Sequence, residues 1–309
     1  MSGSAAAERS SVVVASAPGR LPLSGAAPGW RVSIALDRRA LCRVETGASG
    51  VVLEAKDALT KTAAPDVAEL VAKAPSAIAA HVLDLAGART GMRVVSEWKL
   101  PAGSGVDGDS ALAVAATAAV ARALGRDLEP EELLRQAREA SRRAGRRDED
   151  GHFEALRGGV VLTEGAGRTL AARGLGGDPG RIEEALVLVD AGEAGSDPSR
   201  PPAARGPALM DRVVEALVAG QSEELVALFG EEARESGDEP PSPGARHILD
   251  LVRAAGGAAR ALPQGRLVAI WAPPGARGPG RGEAVHAALK AAGRKPVAIR
   301  VDLRGLEVD

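Results

Sequence analysis

Pro101-Ala-Gly-Ser-Gly-Val-Asp-Gly-Asp-Ser-Ala-Leu-Ala-Val-Ala115 gathers glycines, hydroxyls and carboxylates into one stretch that runs straight into an alanine-rich segment. Gly103, Gly105 and Gly108 allow positive φ and close approach of backbone to a ligand, and Ser104 and Ser110 add hydroxyl groups. A helix opening at the end of such a turn aims its free N–H groups and positive dipole end at one point, which is the chemistry of an anion cradle. Asp107 and Asp109 cut across that reading, because a carboxylate repels a phosphate unless a divalent cation lies between them. The same residues also describe an ordinary helix start, with Asp109 as N-cap of a helix from Ser110 to Leu124.

Other reactive side chains are sparse. Asp148-Glu-Asp150 reads as a solvated turn or as the source of a general base, and His152 as an alternative base or a satisfied structural histidine. Arg138, Arg142, Arg143, Arg146 and Arg147 offer a surface for an acidic partner, or simply solvated cations near a helix C-terminus. His81, His152, His247 and His286 have no metal-ligand spacing. Cys42 is the only cysteine, so no intramolecular disulfide forms, and its apolar neighbours make it a core residue.

The 309 residues suffice for two domains and a substantial core. A formal net charge of -2 with 26% charged residues points away from nucleic acid and membrane surfaces and toward small-molecule or protein partners. Aromatics are 2% of the chain, with no tyrosine, so Ala, Val, Leu and Gly must build the core by close backbone packing. Neither an N-terminal leader pattern nor a stretch of membrane-spanning length stands out, and the expectation is a cytoplasmic protein.

Along the chain, Val12–Ala15, Arg31–Asp37, Ala40–Val44 and Val51–Glu54 read as strands of an antiparallel meander, with a turn at Pro18-Gly19. Helices are expected at 66–73 and 76–86, and the strand Met92–Trp98 leads into the glycine loop, the order strand, loop, helix that a phosphate loop requires. Pro130 opens another helix with Leu133, Leu134, Ala137 and Ala140 on one face. Gly158-Gly159 turns into a strand, and Ala185–Asp190 is a buried strand. Helical patterns follow at 209–219, 223–235 and 245–262, with proline-rich breaks at 196–206 and 237–244. The strand Leu267–Trp271, the helix Glu283–Ala292 and the strand Val297–Asp302 close the chain.

Three segments in order resemble the GHMP kinase superfamily. Ala17-Pro-Gly-Arg-Leu-Pro-Leu-Ser-Gly25 with Ile34-Ala-Leu-Asp-Arg-Arg39 is similar to the family's N-terminal motif, Pro101–Ala115 to its glycine loop, and Pro274-Gly-Ala-Arg-Gly-Pro-Gly280 stands where its C-terminal glycine loop would be. Ala35-Leu-Asp-Arg-Arg39 and the short 28–31 loop look most like the mevalonate and phosphomevalonate kinase branch. The resemblance implies an α+β, two-domain fold: an N-terminal mixed sheet with helices and a C-terminal ferredoxin-like α/β sandwich. The expected units are a tail at 1–10 and domains at 11–190 and 191–309. ATP, Mg²⁺ and a small-molecule phosphate acceptor would lie in the cleft between them.

Carried over residue by residue, the resemblance places Gly103, Ser104, Gly105, Gly108 and Ser110 on the nucleotide, Arg20 and Arg277 or Arg281 on phosphates, Asp107 and Asp109 on Mg²⁺, and Asp150 as base. The family's catalytic aspartate stands seven residues before a paired glycine turn; counting back from Gly158 reaches Gly151, with Asp150 one residue away. The departures fall on chemistry-bearing positions. Ala26 replaces an acidic residue, Asp107-Gly108-Asp109 replace a glycine and two hydroxyl residues, and Arg277, Pro279 and Arg281 interrupt the third loop, where proline removes an N–H donor. Two functions follow as expectations. The first is a non-catalytic GHMP-fold homologue, a pseudokinase that binds or regulates a protein partner; the alternative is an active ATP-dependent kinase of mevalonate, phosphomevalonate or a related alcohol or phosphate. A homodimer is one expected assembly.

Overall fold

Two long apolar runs near the N-terminus form the spine of the molecule, and alanine-rich helices cover it. The computed structural model describes residues 11–25, 30–99, 104–146, 151–166, 169–174, 179–192, parts of 211–231, 242–262, 267–271 and 281–309. β1 (Val12–Gly25) and β2 (Trp30–Thr46) pair antiparallel along almost their whole length. Pro18-Gly19 is not the turn that its composition predicts. β1 runs through it, and the register shifts there and again between Pro22 and Ser24. A partner strand of 17 residues keeps pairing on both sides of each irregularity, so the local turn signal is overridden.

β2 serves two neighbours. Its residues 40–46 pair with β5 (Met92–Trp98), and its residues 30–34 pair with β6 (Val160–Ala166). β3 (Val51–Ala55) lies parallel to β5 and antiparallel to β4 (Thr60–Ala64), while β7 (Thr169–Gly174) extends β6. The expected meander is therefore corrected to a mixed sheet. α1 (Val67–Lys73) and α2 (Ile78–Leu85) form the crossover that returns the chain as β5 between β2 and β3.

α3 (Gly108–Ala123), α4 (Pro130–Arg143) and α5 (His152–Arg157) pack on this sheet. α3 is buried along its central turns, with Ala111, Ala113, Ala115, Ala116 and Ala119 each fully enclosed. Alanine lets β1, β2, α2 and α4 approach the same helix closely, which is how a core almost without aromatic rings is filled.

After α6 (Pro179–Ala185) the chain enters a second sheet: β8 (Leu186–Asp190), α7 (Pro243–Ala254), β9 (Ala258–Ala261), β10 (Leu267–Trp271), α8 (Arg281–Ala291) and β11 (Val297–Ala298). Its order β11-β8-β10-β9, antiparallel throughout, is the ferredoxin-like arrangement. The helix expected over 245–262 stops at Ala254, because Gly256 takes φ 81° and Ala258–Ala261 pairs with β10. Ala-Ala-Arg-Ala has little intrinsic preference, so the neighbouring strand decides its state.

One apolar seam joins the two sheets. Leu21, Leu23, Val32 and Ile34 of β1 and β2 share a cluster with Leu186, Leu188, Ala258 and Leu267. The C-terminus then crosses back: β12 (Glu307–Val308) pairs with β1, and Arg39 pairs with buried Asp302 and donates to Gly305 O at 2.6 Å and Ser16 O at 2.8 Å.

Candidate functional site

The glycine loop is stitched to β1 by a two-bond bridge: Asp107 N donates to Arg20 O at 3.0 Å and Arg20 N to Asp107 O at 3.3 Å. That bridge places a cation and a carboxylate side by side at the start of α3. Asp107, not Asp109, is the N-cap, and its Oδ1 accepts from Ser110 N at 3.0 Å. The cap shifts by two residues because the bridge holds Asp107 extended (φ -71°, ψ 93°) at the mouth of the helix. Asp109 falls in the first turn, 53% exposed, and pairs with Arg146 at 3.0 Å.

Arg20 is 6% exposed and lies between two carboxylates. Its Nη1 stands 4.0 Å from Asp107 Oδ2 and its Nε 3.5 Å from Glu154 Oε1. Glu154, on α5, is fully buried and accepts a hydrogen bond from the Ser33 hydroxyl on β2. Two elements thus converge on one guanidinium, and its loss would take a positive charge from beside two carboxylates in an enclosed space. Sequence reading missed Glu154 and Ser33. Their signal was an acid and a hydroxyl set among apolar residues in a short helix and a core strand.

Gly151, the N-cap of α5, faces the same point. A Cβ there would press on Asp107 Oδ2, lie 2.9 Å from Asp107 Cγ and 3.0 Å from Ser110 Oγ. The Asp107 carboxylate therefore fills the space that a side chain at residue 151 would use. Ser110 is 1% exposed and its Oγ has no hydrogen-bond partner among the described residues. Trp98 closes the other side of the loop: a Cβ on Gly108 would stand 2.6 Å from the indole Cε2, and one on Gly19 would meet the same ring.

Of the remaining expected residues, Gly105 takes φ 81°, and Ser104 is buried and turned into its own loop, accepting from Val106 N at 3.3 Å. Arg281 opens α8. Gly103, Asp148, Asp150 and Arg277 lie outside the described residues. His152 is fully buried with Nε2 2.9 Å from Ser141 Oγ, which encloses it inside the helix layer. The arginines of α4 are engaged: Arg142 and Arg143 bind Glu139, whose carboxyl they hold down to about 2, and Arg143 also reaches Asp84. Arg260 crosses the seam from β9, donating to Leu23 O at 3.4 Å; burial, followed by the charge of Arg20, lowers its guanidinium to about 10.

Among the described residues, the groups that would meet a nucleotide phosphate or Mg²⁺ at the head of α3 are already engaged. The first turn of α3 already holds the Asp107 carboxylate on Ser110 N, and Asp109 adds a second negative charge to the same turn. Each carboxylate is paired with an arginine, and among the described residues no group of three or more His, Cys, Asp or Glu converges as a metal cage.

A strand-loop-helix with this surround, built on a mixed sheet and joined to a ferredoxin-like sandwich, defines a class. Residues 69–153 match the family model described as GHMP kinases N terminal domain. Solved structures share the fold over nearly the whole chain. A D-glycero-D-manno-heptose 1-phosphate kinase from Bacteriodes thetaiotaomicron has a TM-score of 0.76 at 19% identity, covering 96% of this chain and 98% of that one. The Methanococcus jannaschii mevalonate kinase has a TM-score of 0.68 at 13% identity, covering 95% and 99%. A homoserine kinase from Cytophaga hutchinsonii has a TM-score of 0.65 at 14% identity, covering 96% and 97%. No curated protein matches the sequence. Residues 69–153 thus resemble the GHMP kinase N-terminal domain, and the chain as a whole has the two-domain α+β fold of these solved structures.

Proposed function

We propose that this chain is a GHMP-fold protein that has given up phosphoryl transfer and works by binding, as a regulatory or interaction partner of another protein. The observation that carries the reading is the Asp107 carboxylate, seated on the N-terminal turn of α3 and against Arg20, where a phosphate would need those same donors. Gly151, at the place where the superfamily resemblance puts the catalytic aspartate, supplies no group of its own. The neighbouring structures are kinases of heptose 1-phosphate, homoserine and mevalonate, so the fold alone favours no one substrate.

One observation favours a second reading, an active ATP- and Mg²⁺-dependent kinase of mevalonate, phosphomevalonate or a related compound. A buried cation with two carboxylates, Arg20 with Asp107 and Glu154, remains beside the glycine loop. Under this reading a nucleotide and a small-molecule acceptor replace the protein partner. A cytoplasmic location and a homodimer belong to either reading. Calorimetric titration of the full chain with ATP, with and without Mg²⁺, followed by phosphate-transfer assays on mevalonate and phosphomevalonate, separates the two. No ATP binding and no transfer is the expected result; Mg²⁺-dependent binding with turnover would overturn the proposal.

A further inference from the structure

We infer that Asp107 is an internal plug: the chain keeps the donors of an oxyanion site at the head of α3 and closes that site to phosphate with its own carboxylate. The inference rests on the binding-protein reading and explains how the site was closed. Loss of donors would be the simpler route, but the donors are present. α3 is 16 residues long, and its Ser110 N–H points into the site, where it is used by Asp107 Oδ1 at 3.0 Å. The Ser110 hydroxyl, 1% exposed, meets no partner among the described residues although it stands beside the same point, 3.0 Å from where a Cβ of residue 151 would be. A buried hydroxyl left unused is costly, and it is the mark of a site built for more acceptors than one carboxylate presents. The Arg20 guanidinium adds a fixed positive charge 4.0 Å from Asp107 Oδ2.

The plug is fitted to its hole. Gly151 leaves the volume into which Asp107 Oδ2 projects, and a Cβ there would drive the carboxylate out. A tetrahedral oxyanion offers acceptors for Ser110 N, Ser110 Oγ and Arg20 together, whereas the planar carboxylate takes Ser110 N, stands 4.0 Å from the Arg20 guanidinium and does not engage the hydroxyl. The Asp107 side chain is itself 15% exposed, so the space it fills borders solvent.

The test is calorimetric titration of inorganic phosphate into the full chain and into Asp107→Asn and Asp107→Gly, with thermal unfolding to confirm that each is folded. Asparagine removes the negative charge that repels phosphate and leaves a neutral cap that the anion can displace from Ser110 N, so the test survives if the glycine variant fails to fold. Wild type is expected to show no saturable binding at about 10 mM phosphate, and Asp107→Asn to bind on the order of tenfold more tightly or better. Adding Ser110→Ala to Asp107→Asn should remove most of that gain. The inference is overturned if folded Asp107→Asn and Asp107→Gly bind phosphate no better than wild type, or if Ser110→Ala leaves the gain intact. ATP turnover by wild type would instead sink the functional reading itself, so the two failures are told apart.

Discussion

A single methyl group at Gly151 probes the central claim about this site. The backbone there (φ -76°, ψ -8°) is one that alanine adopts freely, so Gly151→Ala carries no conformational penalty and by itself would stabilise by up to ~1 kcal/mol. The new Cβ would lie 2.9 Å from Asp107 Cγ, against an ordinary carbon–carbon contact of roughly 3.5–4.0 Å, so the carboxylate must withdraw by about 1 Å. Withdrawal breaks the cap on Ser110 N, worth about 0.5–2 kcal/mol, or strains the packing around it by about 1–3 kcal/mol. Set against the gain from losing a glycine, the net expectation is a loss of about 1 kcal/mol, or roughly 2 °C in Tm for a chain of this size.

Context decides the sign. In an Asp107→Gly background the obstacle is gone, and Gly151→Ala should be neutral or mildly stabilising. A four-member cycle followed by urea and thermal unfolding should therefore show a coupling of about 2 kcal/mol between residues 107 and 151. Additivity within roughly 0.5 kcal/mol would refute the argument that the Asp107 carboxylate occupies the side-chain space of residue 151.

Arg39→Met strips buried Asp302 of its main partner and should cost about 3 kcal/mol, at the low end for a broken buried pair because Arg304 Nη2 still lies 3.3 Å away; faster amide exchange at 305–309 would accompany it, and unchanged exchange would contradict it. Glu132, held to about 2 by Arg135 and then Gln136, and Glu139, held to about 2 by Arg142 and then Arg143, bind fewer protons when folded than their ordinary 4.5 implies. Their contribution is present above pH ~4.5 and fades as pH falls toward 2, so a small, salt-sensitive drop in Tm should appear across that window; a Tm that rises on acidification would be inconsistent. Burial pushes the Cys42 thiol to about 12 and hides it completely, so a thiol reagent should react only as fast as the chain unfolds, and rapid labelling in native buffer would show otherwise.

Much of the framework was legible because it rests on local chemistry. Asp66 caps α1 by accepting from Glu69 N at 2.9 Å, Pro130 opens α4, and Met92–Trp98 is the strand before the glycine loop, each where composition placed it. The misreadings share a cause. Pro18-Gly19 became part of a strand and Ala258–Ala261 left a helix because a neighbouring strand offered hydrogen bonds that local propensity does not register. The N-cap moved from Asp109 to Asp107 for the same kind of reason, a backbone bridge to Arg20 from far upstream.

The sequence alone determined that a glycine loop precedes a helix, that three motifs stand in superfamily order, and that their departures concentrate on polar positions. Those are properties of order and type, carried by neighbouring residues. Only the tertiary structure decided that Arg20, Ser33, Asp107, Ser110, Gly151 and Glu154 share one enclosed space, and that the carboxylate of residue 107 fills the volume left by residue 151. Charge compensation and steric exclusion depend on distances of a few ångströms between segments far apart in the chain, and those distances exist only once the strands have paired and the helices have packed.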